Sequence, residues 1–436
     1  MSLKKIVKEK WGTLDVVWIE DNEVPTYSVQ IYFADGALSD PRDRYGEMDY
    51  MLTGLFWGTN RFTQKEISDN LEYFGGNHSF HVFHEYSTLS YYGLNKDLIP
   101  TTKKYCHLFS DSIYPKAEIK RYTKRIKSHL TNLVTNPSKL ADRIFRRLTL
   151  RGTPFEFPVE GTLKSVGRIR SFHLKKKKTY LNTRVKKKLY LRGSKDILRI
   201  KDVILGECGW GKPSETFVQT AKAKPIHEKL KTKIVLIPVK GSSQAQIRLG
   251  RFLSPEEIQK PDLLSLMSGH LGGNFISALN RELRVKRGLV YSVGSFAQGQ
   301  KYYGRSAVVT SSRNEKVKES LAVIKKTLGE MGRGKIDPLH LGRTVAFLKG
   351  GHLFQFESYN SFLRTLMFFD HVGRDWKDLY RYPKNIETFS PKIIAASTNR
   401  IFNWDDILIV IIGDKSLKKD LQQIDSTQTL DYRPYL

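Results

Sequence analysis

One short segment of the chain, HSFHVFHE, is rich in side chains that can bind a metal ion. It carries His78, His81, His84 and Glu85, and imidazole and carboxylate groups are common ligands of zinc. The segment also alternates as a β-strand does, and successive side chains of a strand point to opposite faces. His78 and His84 would then share one face while His81 lies on the other. We therefore expect ordinary strand residues here, with a metal site as the alternative.

The two cysteines, Cys106 and Cys208, are far apart in sequence and match no metal-binding or redox spacing. We expect both to be buried thiols in a reducing compartment. Residues 1–10 are charged and lack the apolar core of a secretory signal. No apolar stretch reaches the ~18 residues that a membrane-spanning helix needs. The chain as written is predicted to be cytoplasmic, unless it is the mature form of an exported protein.

The chain is strongly basic, with 73 Lys and Arg against 44 Asp and Glu and a formal net charge of +29. Such a charge favours anionic partners: nucleic acid, an acidic membrane surface or acidic peptides. The densest basic stretch is 164–201, with lysine runs at 175–178 and 186–188. Such a stretch is usually a solvated face, although it could attract acidic peptides or contact anionic lipid. No nucleic-acid-binding module accompanies it, so a nucleic-acid partner is not expected.

The elements that must position these residues occur twice along the chain, in the same order. In the first half we predict a strand at 24–34, helices at 46–55 and 63–74, and strands at 78–83 and 87–94. In the second half we predict a strand at 244–249, helices at 261–270 and 275–285, and strands at 290–296 and 304–310. Each half then closes with a strand, a turn and a helix, at 188–204 and 407–424.

Local signals support individual elements of this repeat. Thr63 and Glu66 form a capping box at the start of one predicted helix, and Gly75 ends it. Two apolar, β-branched runs at 233–239 and 407–413 have the length and composition of buried strands.

The repeat and the length of 436 residues predict two homologous α+β domains, each with a sheet packed against helices. We place them at 1–210 and 231–436, with a linker at 211–230 whose Gly, Pro, Ser and Lys content is highest over 209–225. Two unrelated α+β domains in tandem are the alternative. Two domains of common origin can close face to face like a clam shell, with a ligand cavity between them.

Segments in both halves are similar to hallmark regions of the pitrilysin/insulinase family of zinc metallopeptidases. In the first half, FWGT at 56–59 and FGG at 74–76 correspond to the family's F-K-G-T and L-G-G. In the second half, residues 280–296, NRELRVKRGLVYSVGSF, match the family's L-R-x-K-R-G-L-x-Y-S-V nearly residue for residue. Residues 241–250 and 407–413 also fit family strands. The resemblance implies that both α+β domains are peptidase-like.

The first-half motif is degenerate at its chemical positions. In the family, the inverted zincin motif H-x-x-E-H supplies two zinc ligands and a general base. The matching positions here hold Asp49, Leu52 and Thr53, and the family's third ligand falls near Ser128 or His129. Asp49 and His129 are the candidate ligands left, and Leu52 cannot move a proton. We therefore expect no catalytic zinc in this chain and no hydrolysis of peptides by it alone.

Arg284 and Tyr291 stand seven residues apart, as the family's Arg/Tyr pair does. In the family, this guanidinium and phenol donate hydrogen bonds to the scissile carbonyl and stabilise the oxyanion. The residue types suit that role, because Arg stays charged and Tyr offers a directed O–H. The structural alternative is that Arg284 caps a helix or pairs with Glu282, while Tyr291 fills a half-buried strand.

Substrate-binding residues are also expected in the second half. An extended peptide could add to an exposed edge strand, which we place at the strand that carries Gln244, Gln246 and Arg248. Gly272 and Gly273 precede the Arg/Tyr segment and either allow a close backbone approach or simply end a helix. The resemblance also places the histidine strand of the first half along the inner wall of the substrate groove.

In some family members two chains divide the work: one carries zinc and the other carries the Arg/Tyr pair. The resemblance therefore implies a non-zinc subunit of a heterodimeric metallopeptidase, with peptide or unfolded protein as substrate. No cofactor is expected in this chain, because zinc and the general base would come from a homologous partner. A non-catalytic core subunit of a larger assembly is the main alternative. A protein that binds nucleic acid or lipid is a more distant one.

Overall fold

The computed structural model describes residues 6–212, 228–356 and 358–436. Most of the predicted linker at 211–230 lies outside these residues. The described residues form two compact units. The first unit comprises 6–130, 157–212 and 358–367, and the second comprises 131–156, 228–356 and 368–436.

The first unit contains a six-stranded mixed sheet in the order β1-β2-β6-β3-β5-β4. Its strands are β1 (Ile6–Trp11), β2 (Leu14–Glu20), β3 (Thr26–Phe33), β4 (Asn77–Val82), β5 (Ser87–Leu94) and β6 (Lys187–Gly193). β2 and β6 run parallel, while β6-β3, β3-β5 and β5-β4 are antiparallel pairs.

The second unit contains a six-stranded sheet in the order β12-β7-β11-β8-β10-β9. Its strands are β7 (Ile234–Pro238), β8 (Gln244–Leu253), β9 (Val290–Gly299), β10 (Gly304–Arg313), β11 (Leu408–Gly413) and β12 (Thr427–Thr429). All six residues of β11 are buried, as expected of a β-branched strand covered on both faces.

Five strands of one sheet have counterparts in the other. The order β2-β6-β3-β5-β4 corresponds to β7-β11-β8-β10-β9, with one parallel pair followed by antiparallel pairs in both. The sixth strands differ, because β1 runs antiparallel to β2 whereas β12 runs parallel to β7. The α+β class is confirmed, and the shared topology agrees with the predicted duplication.

Helices pack against each sheet. Up to residue 212 they are α1 (Glu47–Gly54), α2 (Gln64–Glu72), α3 (Leu98–Asp111), α4 (Lys116–Thr131), α5 (Pro137–Thr149), α6 (Ser171–Arg184) and α7 (Ile200–Gly206). Beyond residue 227 they are α8 (Pro261–Gly272), α9 (Val317–Gly332), α10 (Pro338–Leu353), α11 (Tyr359–Val372), α12 (Asp378–Asn385), α13 (Pro391–Ile401) and α14 (Leu417–Gln422). None of the helices in the described ranges is long and apolar enough to cross a membrane.

Each unit has its own apolar core, built from alternating strand residues and one face of each helix. In the first unit Val29 and Ile31 of β3 share a buried cluster with Leu52 of α1. In the second unit Ile247 of β8 shares one with Leu266 of α8. The predicted capping box of α2 is present: the Glu66 carboxylate accepts a hydrogen bond from the Thr63 N–H at 2.7 Å.

The predicted helix at 275–285 is only partly formed. A π-helix spans Asn280–Val285. Residues 278 and 279 are also helical, whereas residues 273–277 form bends and turns. The Asn274 side chain accepts a hydrogen bond from the Ile276 N–H at 3.0 Å, and the Asn280 side chain donates one to the Asn274 carbonyl at 2.9 Å. Asparagine bonds of this kind compete with helical hydrogen bonds, which explains the shorter helix.

The predicted edge position of strand 244–249 is wrong. This strand is the start of β8, which pairs with β10 on one side and with β11 on the other. The edges of the sheet are β9 and β12. Strand order depends on pairings between distant segments, and the alternating pattern of one strand does not reveal its neighbours.

The prediction of two free thiols is also wrong. Cys106 of α3 and Cys208, just after α7, form a disulfide across 102 residues of sequence. Both are buried, as predicted. Because disulfides persist mainly in oxidising compartments, the cysteines no longer support a reducing one.

The basic stretch at 164–201 is only partly a solvated face. Lys177 is buried and pairs with Asp40 at 3.1 Å. Lys178 donates hydrogen bonds to the Ser110 and Ser112 carbonyls at 2.8 and 3.1 Å. Burial lowers the pKa of Lys187 to about 8. These three lysines are buried within the first unit, whereas Lys175 and Lys176 remain exposed.

Candidate functional site

Arg284 lies in the π-helix of the second unit, a rare helix type that often occurs at functional sites. The widened turn is closed by the Lys286 N–H, which donates to the Arg281 carbonyl at 2.9 Å. Gly288 follows with φ of +58°, a backbone conformation that favours glycine. This turn leads directly into β9, so the π-helix and the strand that carries Tyr291 are joined by a short, well-defined connection.

Tyr291 lies in an irregular part of β9. Val293 pairs with Thr310 of β10, but Val290 pairs with Ser312, so two residues of β9 oppose one residue of β10. The Thr310 hydroxyl donates to the Ser292 carbonyl at 2.7 Å and holds the bulge. A β-bulge changes the direction of a side chain. Here Tyr291 is 83% exposed.

The guanidinium of Arg284 lies between two aromatic rings. Its Cζ is 5.4 Å from the centroid of the Tyr291 ring and 5.2 Å from that of Phe275. Phe275 is 77% exposed. Cation–π contacts use the face of the guanidinium and leave its in-plane N–H groups available to an acceptor. Within the described ranges, no hydrogen bond or ion pair engages the Arg284 guanidinium or the Tyr291 hydroxyl.

Two structural alternatives for this pair, an ion pair between Arg284 and Glu282 and a half-buried Tyr291, do not hold. Glu282 pairs with Lys286 at 2.5 Å and with Arg287 at 2.7 Å rather than with Arg284. The exposure of Tyr291 is far above that of a half-buried strand residue. The two donors predicted from the sequence are therefore brought together on an open surface.

Gly272 and Gly273 lie at the end of α8, where this helix packs against β9. Gly272 is the last residue of α8, and a Cβ added there would lie 2.9 Å from the Ser295 hydroxyl oxygen of β9. The Ser295 hydroxyl donates to the Ser268 carbonyl at 2.7 Å. The close backbone approach considered for these glycines occurs between α8 and β9. Gly273 is the C-cap of the helix. Both explanations therefore apply: a close backbone approach at Gly272 and the end of a helix at Gly273.

The three β8 residues expected to bind substrate have different environments. Gln244 is exposed and Gln246 half-buried, whereas Arg248 is almost completely buried. Arg248 donates to the Asp142 carboxylate of α5 at 2.6 Å and to the Ser138 hydroxyl at 2.8 Å. Because β8 is an inner strand, its backbone is not free to pair with a peptide.

The degenerate zinc motif lies on α1 of the first unit. The Tyr122 hydroxyl of α4 donates to the Asp49 carboxylate at 2.8 Å and lies 3.3 Å from the Thr53 hydroxyl. Leu52 is fully buried. A tyrosine hydroxyl thus bridges the two positions at which the family motif has histidines. One carboxylate, one hydroxyl and a leucine do not fit a zinc ion that acts on peptides.

Asp49 is largely buried, and this burial raises the pKa of its carboxyl to about 6. The hydrogen bond from Tyr122 partly offsets the rise, and the nearby charge of Glu160 adds to it. A family zinc ligand would instead be held in its deprotonated form by the metal. The site therefore behaves as a buried hydrogen-bonding network.

Two residues expected near the third-ligand position do not face the degenerate motif. Ser128 and His129 are exposed, and the residue of α4 that faces Asp49 and Thr53 is Tyr122. Ser128 and His129 follow it by six and seven residues, about 9 and 10 Å along a helix.

The side chains of the histidine strand have separate environments. His78 stacks on Phe56 with ring centroids 4.4 Å apart, and His81 is exposed. His84 follows β4 and its Nε2 lies 2.8 Å from the Phe157 carbonyl oxygen. Across residues 6–212, 228–356 and 358–436, no three His, Cys, Asp or Glu side chains are grouped to hold a metal ion.

Sequence reasoning missed two residues, Phe275 and Tyr122. Phe275 precedes Arg284 by nine residues, and only the turn at Asn274 brings its ring onto the guanidinium. Tyr122 is one of several aromatic residues whose partners depend on helix packing. For Phe275 the sequence offered no clear signal, because it opens the predicted helix at 275–285 like any apolar helix residue.

Comparisons with known proteins agree on one family. The family model described as "Peptidase M16 inactive domain" matches residues 200–348, a range that contains Arg284 and Tyr291. An uncharacterized zinc protease of Bacillus subtilis, YmxG, is 21% identical over 79% of this chain and 82% of its own length. An uncharacterized zinc protease of Streptomyces coelicolor is 22% identical over 74% and 70%, respectively.

Solved structures give the same result for the fold. The crystal structure of a peptidase M16 inactive domain from Pseudomonas fluorescens matches with a TM-score of 0.82 at 19% identity. The match covers 94% of this chain and 98% of that one. Residues 200–348 thus resemble the inactive domain of the M16 peptidases, and the chain has the fold of a solved M16 inactive domain.

Proposed function

We propose that this chain is the non-zinc subunit of a heterodimeric metallopeptidase. It binds a peptide or unfolded protein, and Arg284 and Tyr291 stabilise the scissile carbonyl. A homologous partner chain supplies zinc and the general base. The observation that carries the proposal is the position of the Arg284 guanidinium, 5.4 Å from the ring of an 83% exposed Tyr291.

The pair has the chemistry that such a site needs. As a carbonyl carbon is attacked, negative charge develops on its oxygen, and donors already aimed at that oxygen lower the barrier. Arg284 offers N–H groups that carry a full charge, and Tyr291 offers an O–H. Loss of one such donor from a comparable site costs about 3 kcal/mol of transition-state stabilisation.

The residues of this chain favour a peptidase whose catalytic groups come from two chains. Leu52 takes the position of the general base, and the Asp49 carboxylate is engaged by Tyr122. No proton acceptor stands where water would be activated, so hydrolysis requires a second chain. An extended substrate could pair with β9, which is an edge of its sheet and carries Tyr291.

The central experiment is Arg284→Ala in the complex reconstituted with the zinc-bearing partner. We expect peptidase turnover to fall at least about tenfold, with assembly unchanged by size-exclusion chromatography. Tyr291→Phe removes a single hydroxyl, and we expect it to lower peptidase turnover as well. Tyr73→Phe is its matched control, because Tyr73 is 85% exposed and lies in the other unit. Arg313→Ala serves as the control for Arg284 at an exposed strand end.

The same experiment separates the proposal from the structural-subunit alternative. A scaffold has no oxyanion to stabilise, so unchanged turnover in Arg284→Ala and Tyr291→Phe would leave only that role. Zinc content gives an independent check. We expect one zinc per heterodimer, whereas zinc bound tightly by this chain alone, together with peptidase activity, would contradict the proposal.

A further inference from the structure

A cavity of 790 Å³ lies on the first unit, between α4 and the start of α6. It is separate from both the degenerate motif and the Arg284 surface. Five cationic residues line it: Lys116, Lys120, Lys127, Arg170 and Lys175. No acidic residue is among its lining residues in the described chain. We refer to it as the basic cavity.

The lysines of α4 form one row. Lys116, Lys120 and Lys127 are separated by four and seven residues, so they share one helical face and span about 16 Å along it. Lys175 lies on α6 opposite that row. Within the described residues no hydrogen bond or ion pair engages the ammonium groups of Lys116, Lys120 or Lys175. Their charges are therefore uncompensated by the unit itself.

Apolar side chains make up much of the remaining lining, together with Thr123 and Ser171. Ile119 and Ile169 are buried, and Phe172 stands at the rim with 65% of its surface exposed. Arg170 is held in place, because its guanidinium donates to the Gly167 and Ile169 carbonyls at 2.8 and 2.9 Å. A concave wall of low polarity concentrates the field of the surrounding charges and raises the local concentration of anions.

We propose that the basic cavity binds an anion that carries several phosphate groups. Lysine acts as a compact point charge and is well suited to phosphate, whereas carboxylates are recognised best by the paired N–H groups of arginine. The one arginine of the cavity already donates to two carbonyls. A row of about 16 Å exceeds one phosphate group, so the ligand carries several. The source is a free oligophosphate or the headgroups of an anionic lipid surface.

The test compares two variants of equal charge change. Lys116→Glu/Lys120→Glu reverses two charges of the cavity. Lys195→Glu/Lys201→Glu reverses two exposed charges elsewhere in the same unit. Lys116→Gln/Lys120→Gln is a milder form of the first variant, in case charge reversal disturbs folding. Thermal unfolding establishes that each variant is folded.

Binding of sodium tripolyphosphate is measured by calorimetry, and binding of phosphatidylglycerol-containing vesicles is measured by co-sedimentation against pure phosphatidylcholine. We expect the cavity variants to weaken binding at least about tenfold, and rising salt to weaken it further, while the control stays within about twofold of the native protein. Binding of tripolyphosphate identifies a free oligophosphate as sufficient. If the protein binds the vesicles but not tripolyphosphate, the ligand is the lipid surface.

Three results would overturn the assignment. The first is no binding of either probe to the native protein. The second is an equal loss in the control, which indicates a response to net charge only. The third is binding of oligoglutamate or a single-stranded oligonucleotide more tightly than either phosphate probe. None of these outcomes depends on peptidase activity, so the inference can fail while the proposed function stands.

Discussion

The hydroxyl of Tyr122 donates a 2.8 Å hydrogen bond to the carboxylate of Asp49. This bond joins α4 to α1 at the place where the family motif has its zinc ligands. Arg125 stacks on the Tyr122 ring, with its Cζ 4.6 Å from the centroid. A buried network of side chains therefore occupies the position of the degenerate zinc motif, and the pKa of Asp49 within it can be tested directly.

Asp49→Asn should stabilise the protein at neutral pH. Burial raises the pKa of Asp49 from 3.8 to about 6, so its contribution to stability is complete below pH 3.8 and is lost as pH rises through 6. The difference between these two pKa values corresponds to at most about 3 kcal/mol in the free energy of unfolding. We expect the advantage of Asp49→Asn, measured by urea unfolding, to grow between about pH 4 and pH 6 and to level off at higher pH.

Asp196→Asn is the control, because Asp196 is exposed in the same unit. An Asp49→Asn effect that is the same at every pH would contradict the burial-driven shift.

Phe275→Leu should lower the activity of the assembled enzyme more than its stability. The ring lies 5.2 Å from the Arg284 guanidinium, and an exposed cation–π contact contributes about 0.5–1 kcal/mol. Loss of this positioning contact should reduce kcat/KM by a factor of about 2–5. Leucine keeps an apolar side chain of similar reach and isolates the role of the ring.

Phe347→Leu is the matched control, since Phe347 is 54% exposed on α10. A loss in Phe347→Leu equal to that in Phe275→Leu would mean that Phe275 does not position Arg284. An additive effect of Phe275→Leu and Arg284→Ala would lead to the same conclusion.

The Cys106–Cys208 disulfide should stabilise the first unit. It closes a segment of 102 residues, for which chain entropy predicts about 4–5 kcal/mol. Cys106→Ala/Cys208→Ala should therefore lower the free energy of unfolding by about 2–5 kcal/mol. Thiol titration of protein unfolded without reductant should find no free thiol. Two free thiols in that titration would restore the reduced form expected from the sequence.

Gly272→Ala and Gly342→Ala should have opposite effects on stability. A Cβ at Gly272 would lie 2.9 Å from the Ser295 hydroxyl oxygen and 3.0 Å from its backbone nitrogen, which predicts a loss of about 1–3 kcal/mol. A Cβ at Gly342, inside α10, would meet no atom within 4 Å. Helix propensity then predicts a gain of about 0.5–1 kcal/mol.

Thermal unfolding of the two glycine variants distinguishes close packing from a general effect of alanine. Equal shifts of Tm in the same direction would show that α8 and β9 are not in tight contact at Gly272. Because β9 also carries Tyr291, Gly272→Ala should reduce peptidase activity in the assembled complex, whereas Gly342→Ala should leave it unchanged.

The sequence by itself determined most of the secondary structure and the resemblance to the pitrilysin/insulinase family. Alternation and capping signals placed β3, α1, α2 and α8, because these patterns depend on neighbouring residues. The spacing of Arg284 and Tyr291 within a specific motif identified the candidate site. The residue types at the positions of the zinc motif predicted that this chain holds no catalytic zinc, since that prediction follows from residue type alone.

Only the tertiary structure decided which strands lie at an edge, which cysteines meet and which lysines are buried. β8 became an inner strand and Cys106 met Cys208 through contacts between segments far apart in sequence. The aromatic partner of Arg284 depended on a turn at Asn274 and on a bulge in β9. Such features arise from long-range packing and backbone geometry, which a local pattern of residue types does not encode.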